Sequence, residues 1–154
     1  MDTPKPSQLL EEQHQRIDEG VQGAMDGSGD AQELAASLDL LRLHLYLEET
    51  VLFPVLEKTG LTMPVFVMQR EHGLMWPLME KLAQGCRAQV DLDSLLDDCE
   101  ELFQLLQVHN PKEEQILYSA ADGLEEGVQA LSEALLAGQL PEGWRCRAVA
   151  GKPA

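Results

Sequence analysis

The chain has little of what would build a β-sheet, hold a polyanion or enter a membrane. β-Branched residues are sparse and aromatics make up only 5% of the 154 residues, whereas leucine is abundant. That balance favours helices over strands. Lysine plus arginine number 11 against 27 aspartates and glutamates, a formal charge of −16. Such a chain is repelled by nucleic-acid phosphates and by anionic lipid surfaces, so neither is an expected partner. No apolar run reaches membrane length; LTMPVFVM is among the longest and is too short to span. The N-terminus, MDTPKPSQLLEEQHQ, lacks the basic-then-apolar pattern of a secretory leader. Cysteine is scarce: Cys86, Cys99 and Cys146 form no CxxC pair. Cys86 and Cys99 flank one expected loop, close enough for a bridge. The odd count without a leader favours free thiols in a reducing, cytoplasmic compartment.

What remains is one domain's worth of amphipathic helix, expected to span 1–154, with 44% apolar residues to form one core. A first helix is expected over about 7–25 with Ser7 as its cap, and a second over about 31–58, capped by Asp30. Leu34, Leu38, Leu41, Leu45 and Leu52 lie on its apolar face. Pro54 falls in its last turn, as a distortion rather than a stop. A third helix is expected over about 63–87, where Pro77 deprives the Gly73 carbonyl of its donor and should kink or break the helix. A fourth, over about 94–121 and capped by Asp93, contains Pro111, which does the same to Gln107. A short fifth helix over about 124–137 precedes an extended tail, 138–154, with Trp144 as its anchor.

Histidine is also scarce, and all four copies fall into a pattern. His44 opens HLYLEETVLF and His109 opens HNPKEEQILY: in each, three residues follow, then Glu-Glu, two more residues, leucine and an aromatic. His14 and His72 are the lone histidines of the first and third helices. The chain thus reads as a duplicated helix pair, and the implied all-α architecture is an up-down-up-down four-helix bundle with approximate two-fold symmetry.

On an α-helix, residue i+4 lies about 40° around from residue i and one turn along, so Glu48 shares a face with His44 and Glu113 with His109. The following glutamates, Glu49 and Glu114, point about 140° away and cannot join the ligands unless the helix is distorted. They are expected in solvent or hydrogen-bonded behind the ligands. Tyr46 and Tyr118 project away from the ligand face by the same angular count. Four imidazoles and two carboxylates are costly to bury unpaired. Two metal ions resolve that cost, with each carboxylate bridging the ions, each ion taking two histidines, and an oxo or hydroxo group completing the bridge. Each ion then keeps an open position. Such mixed ligation suits iron, manganese or zinc rather than calcium or magnesium.

A single HxxxE pair on a helix is commonly just a surface ion pair worth a few tenths of a kcal/mol; two copies in matching halves, with the other histidines in matching places, point to a site. Asp18, one turn after His14, either hydrogen-bonds that imidazole or is solvated. Trp76, one turn after His72, is either a core aromatic or the wall of the open metal position. Met68, Met75 and Met79 read as core filling.

These residues resemble a known family. QHQRID around His14, HLYLEETVLFP, REHGLM and HNPKEEQILY are similar to the hemerythrin-like, or HHE cation-binding, domain over about 7–121. The ferritin-like di-iron proteins use Glu-x-x-His, the opposite order. The resemblance implies a bundle around a non-haem di-iron centre that binds dioxygen or a related small molecule, with His14, His44, Glu48, His72, His109 and Glu113 as ligands. The oxygen-carrying members have a fifth histidine where this chain has Trp76. Its set is more similar to bacterial members linked to nitric oxide and oxidative stress, including those that repair iron centres, which carry a preceding cysteine-containing segment absent from this sequence. The expected function is therefore binding, storage or sensing of dioxygen or nitric oxide by a monomer or homodimer. The alternatives are a redox enzyme that removes nitric oxide or peroxide or repairs iron centres, and an interaction module that iron merely stabilises.

Overall fold

A computed structural model describes residues 3–150. The described residues are helical, without strands. Helix α1 runs over Pro6–Asp26. Helix α2 covers 31–58 as two α-helical stretches, Ala31–Leu47 and Phe53–Lys58, joined by a π-helical turn at Glu48–Leu52. Helix α3 is Thr62–Arg87. Helix α4 covers 92–122 and carries a second π-helical turn at Glu113–Tyr118. Helix α5 is Val128–Ala137.

Local chemistry accounts for most of the ends. Asp30 caps α2, its carboxylate accepting from the Glu33 N–H at 2.8 Å. Pro6 stands in the first turn of α1, where no amide donor is needed. Ser7 does not cap α1; its N–H and hydroxyl donate to Asp122 at 3.1 and 2.5 Å, tying the start of α1 to the end of α4. Gly27 ends α1 in the left-handed region, at φ 82°, which glycine adopts without strain. Asp91, rather than Asp93, precedes α4. The expected helix over 124–137 starts later, at Val128, because Gly127 turns left-handed at φ 84°.

Pro77 does not break α3, which is helical without interruption from Thr62 to Arg87. Its missing N–H costs one bond, and the buried Met75, Trp76 and Met79 on either side hold the helix against the core. Of the expected tail, residues 151–154 lie outside the described residues, and the described part folds back on the bundle with Trp144 at its contact. Trp144 packs edge-on against both Tyr46 and Trp76, at 5.3 and 5.6 Å between ring centroids. Cys146 is wholly buried, and Ala148 crosses α3 at Gly73, where a Cβ would lie 2.6 Å from the Ala148 methyl. The three cysteines are free thiols, and burial pushes Cys99 up to about 11.

Helix α1 packs on α2 and α4, and α3 packs on the same two, closing a ring of four; α5 lies across α1 and the π turn of α2. Two apolar clusters fill the interior. One holds Ile17, Leu38, Leu41, Met75, Trp76, Leu102 and Leu106, and the other holds Leu10, Leu52, Phe53, Met68, Leu117 and Leu131. Each of the four long helices passes from one cluster to the other, and its histidine lies at the crossing. A single polar layer therefore sits between two dry ones. No helix among the described residues is long and apolar enough to cross a membrane.

Candidate metal centre

The polar layer consists of His14 from α1, His44 and Glu48 from α2, His72 from α3, and His109 and Glu113 from α4. The histidines are at most 3% exposed and both glutamates 0%. Their donor atoms fall into two groups, His14–His44–Glu48–Glu113 and Glu48–His72–His109–Glu113, each within 4.8 Å. The two glutamates are common to both groups, and each offers a different oxygen to each. Glu48 Oε2 is 3.3 Å from His44 Nε2, and its Oε1 is 3.1 Å from His72 Nε2. Glu113 Oε1 is 3.2 Å from His14 Nε2, and its Oε2 is 3.1 Å from His109 Nε2. Each carboxylate spans the two groups.

All four imidazoles turn Nε2 inward because Nδ1 is held from behind. Glu114 binds Nδ1 of His14 at 2.8 Å, and Glu49 that of His72 at 2.7 Å. Gln13 binds Nδ1 of His44 at 2.6 Å, and Glu71 that of His109 at 2.8 Å. Partners of this kind fix the ring orientation and make the inward nitrogen more basic. The arrangement follows the chain's duplication: the second glutamate of each HxxxEE pair serves the lone histidine of the other half. Likewise, the residue before each lone histidine serves the HxxxEE histidine of its own half. Lys112 also bonds Glu71, and the Arg147 N–H donates to Glu49 at 2.9 Å, so the folded-back tail steadies one of these partners.

The π turns make this possible. In α2 the Phe53 N–H reaches back five residues to the Glu48 carbonyl. The wider turn carries the second glutamate off its α-helical bearing. Glu49 and Glu114 therefore both lie behind the inward imidazoles, Glu49 nearly buried and Glu114 a third exposed. Hydroxyls help satisfy the loosened turns: Thr50 donates to the Tyr46 carbonyl at 2.7 Å and Ser119 to that of Glu114 at 3.2 Å.

The same distortion overturns the expectation for Tyr118. Five residues after Glu113, it would face away on an α-helix; an i→i+5 turn brings it back. Tyr118 is 0% exposed, and its hydroxyl donates to Glu48 Oε2 at 2.5 Å. The same oxygen lies 3.2 Å from Glu113 Oε1 and 3.0 and 3.3 Å from Nε2 of His14 and His44. The signal was present in the sequence: Pro54 and Pro111 beside two HxxxEE copies mark helices that do not keep a regular pitch. Tyr46 stays away from the site, against Trp144.

Asp18 and Trp76 lie outside the polar layer, Trp76 in the core, one of its two expected places. Asp18 does not bond His14, whose Nδ1 is taken by Glu114; its carboxylate accepts from Gln107 at 3.3 Å instead. Burial pushes the Asp18 carboxyl up. Trp76 is a core aromatic, 3% exposed within the apolar cluster, beneath the Arg42 guanidinium at 5.7 Å and beside Trp144. Met68, Met75 and Met79 are buried in the clusters.

The electrostatics are those of a cluster built for added positive charge. Burial opposes charge on His14, but its bond to Glu113 and the charges of Glu113 and Glu48 outweigh that and push it up to about 9. His72 is raised well above the usual range despite burial, by its bonds to Glu113, Glu48 and Glu49. Burial and mutual repulsion oppose ionised Glu48 and Glu113, yet the surrounding imidazoles hold both low. Without metal, the raised His14, His72 and His109 offset the carboxylate charge. Even so, Glu48 Oε1 and His72 Nε2, and Glu113 Oε2 and His109 Nε2, face each other at 3.1 Å, buried and without a well-aligned hydrogen bond. Those four atoms are the whole of the second group. Two inward imidazole nitrogens and two carboxylate oxygens, converging without well-aligned hydrogen bonds, fit a cation of the imidazole- and oxygen-binding transition metals.

The fold and site define a helical metal-binding protein with a buried histidine–glutamate centre between apolar layers. The family model of the hemerythrin HHE cation binding domain matches residues 5–121, and the chain belongs to that family. No curated protein and no solved structure matches it.

Proposed function

We propose that this protein is a single-domain, up-down-up-down di-iron protein that binds a small diatomic molecule, dioxygen or nitric oxide. The bundle direction is supported by the order in which the helices traverse the two apolar clusters, which reverses from each helix to the next. Two ions are supported by one observation above the rest. Glu48 and Glu113 each turn one oxygen to the His14–His44 pair or its members and the other to His72 or His109. His14 and His44 would hold one ion, His72 and His109 the other, and the two carboxylates would serve both, with an oxo or hydroxo group as a further bridge. Iron suits this set, and manganese or zinc would also fit it.

Ferrous ions would supply an open coordination position and electrons that a diatomic ligand can share. The chain's own part is to bind, orient and exclude. The Nδ1 partners fix four imidazoles before any metal arrives. The carboxylates supply negative charge where a cation would otherwise pay a large desolvation cost. The leucines, methionines and Phe53 on either side keep water from the centre, which favours reversible binding over loss of electrons.

The test is visible absorbance of anaerobic, Fe(II)-loaded protein as dioxygen is admitted and then removed. A coloured species that vanishes on degassing establishes reversible binding. Permanent conversion to a diferric spectrum would instead establish a redox enzyme or scavenger. A chain that holds no iron after loading and desalting would end the reading.

A further inference from the structure

Besides Gln13 standing where Glu71 stands in the other half, the two halves of the centre differ in one aromatic ring. Phe53 follows His44 by nine residues, as Tyr118 follows His109. The Phe53 ring stacks on His72 at 5.7 Å and 20°; the Tyr118 ring lies against His14 at 5.4 Å and 30°. The rings are counterparts, but only one carries an oxygen. That oxygen is within 2.5–3.3 Å of all four donor atoms of the first group. In the second group the equivalent place is the Phe53 ring, and its four donor atoms face one another without any hydroxyl among them.

The spacing has a specific meaning. Imidazole and carboxylate donors bind such metals at about 2.0–2.2 Å, so two donors at right angles around one ion lie about 3 Å apart. The Tyr118 oxygen stands 3.0 Å from His14 Nε2, 3.3 Å from His44 Nε2 and 3.2 Å from Glu113 Oε1. These match the separations among the other donors of that group, 3.2 Å for His14–Glu113 and 3.3 Å for His44–Glu48. Glu48 Oε2, to which the hydroxyl donates, is closer at 2.5 Å, so the Tyr118 oxygen stands among all four donors of the group rather than outside them. On the other side, a cleft of about 220 Å³, lined by Leu74, Met75, Leu105 and Val108 with Glu71, reaches His109.

We propose that Tyr118 is a metal ligand: its phenol oxygen completes the coordination of the ion held by His14 and His44. The small molecule is then taken up at the ion held by His72 and His109, beside Phe53. This rests on the di-iron reading above and makes the centre asymmetric, with one saturated ion and one open one. On coordination the oxygen–metal bond replaces the O–H bond. The proton passes to solvent, and no electron moves.

The chain has only two tyrosines, Tyr46 and Tyr118, which makes the test clean. Protein loaded with iron and oxidised to the ferric state should show a visible phenolate-to-iron band and, on excitation in that band, the ring vibrations of a coordinated phenolate. Tyr118→Phe should keep its iron and lose both signals, and Tyr46→Phe should keep both. If Tyr118→Phe does not fold, ring-deuterated tyrosine in the Tyr46→Phe protein decides the matter, because any shifted vibration then belongs to Tyr118. Bound iron without phenolate vibrations, or signals that survive in Tyr118→Phe, would overturn this proposal and leave the di-iron reading standing. Failure to bind iron at all would overturn both.

Discussion

Glu49 Oε2 lies 2.7 Å from Nδ1 of His72, although on a regular α-helix it would point away from its neighbour Glu48, which faces Nε2 of the same ring. Adjacent glutamates grip opposite nitrogens of one imidazole, and only the π turn at Glu48–Leu52 allows it. Glu49→Gln keeps the shape and removes the charge. Partners of this kind are worth about 10–100-fold in metal affinity. Glu49→Gln should weaken iron binding within that range, with helix content unchanged, as measured by competition with a chelator.

The shared carboxylates give a stoichiometric prediction. Glu113 faces both groups, whereas His109 belongs to one. His109→Ala should reduce bound metal from about two ions per chain to about one, and Glu113→Ala should abolish stable binding of both. Elemental analysis after loading and desalting distinguishes these outcomes. Equal loss in the two variants would argue against a carboxylate-bridged pair.

Metal-free protein should have a stability maximum in mildly acidic solution. His14, His72 and His109 are raised above 6.5 in the fold. Their stabilisation is therefore complete below pH 6.5 and is lost as pH rises, for His14 through about 9. Glu48 and Glu113 are lowered below 4.5, so their contribution is present above that value and lost as pH falls through their folded values. The metal-free chain should melt at lower temperature at pH 9 than at pH 6. Metal affinity should rise over the same interval, because protons and metal compete for the same nitrogens. A flat melting profile between pH 6 and 9 would contradict this.

The folded-back tail should matter to stability more than to metal. Replacing a core tryptophan by alanine costs roughly 3–5 kcal/mol, and Trp144 is half-buried, so Trp144→Ala should cost about half of that. Thermal melting of the metal-free protein should show the loss, with about two metal ions still bound on loading. Loss of metal with no change in melting would mean that the tail acts mainly through the Arg147–Glu49 bond.

Much of the centre was legible because its chemistry is periodic. Four histidines at matching places and two HxxxEE copies can meet in only a few ways once the chain is read as helices, and Glu48 and Glu113 fall beside His44 and His109 by helical geometry alone. The reading failed where it assumed a constant pitch. Tyr118 was set aside by the angle that a π turn abolishes, and Asp18 was considered for a contact that the displaced Glu114 makes instead. Trp76 satisfied the helical count equally well as pocket wall or core. Only the tail, which brings Trp144 against it, distinguishes these alternatives.

By itself the sequence determined that the chain is helical, acidic and duplicated, and which six side chains share a layer, because these follow from composition and a repeat of 3.6 residues. Tertiary structure decided the rest. Two π turns, each beside a proline, reset the direction of every residue after them in the turn, and four helices had to close before Nδ1 of each histidine met its partner. The placement of a single phenol among four buried histidine and glutamate donor atoms, with a phenyl ring as its counterpart, arises from that closure. No local pattern encodes it, because its neighbours lie up to 104 residues away along the chain.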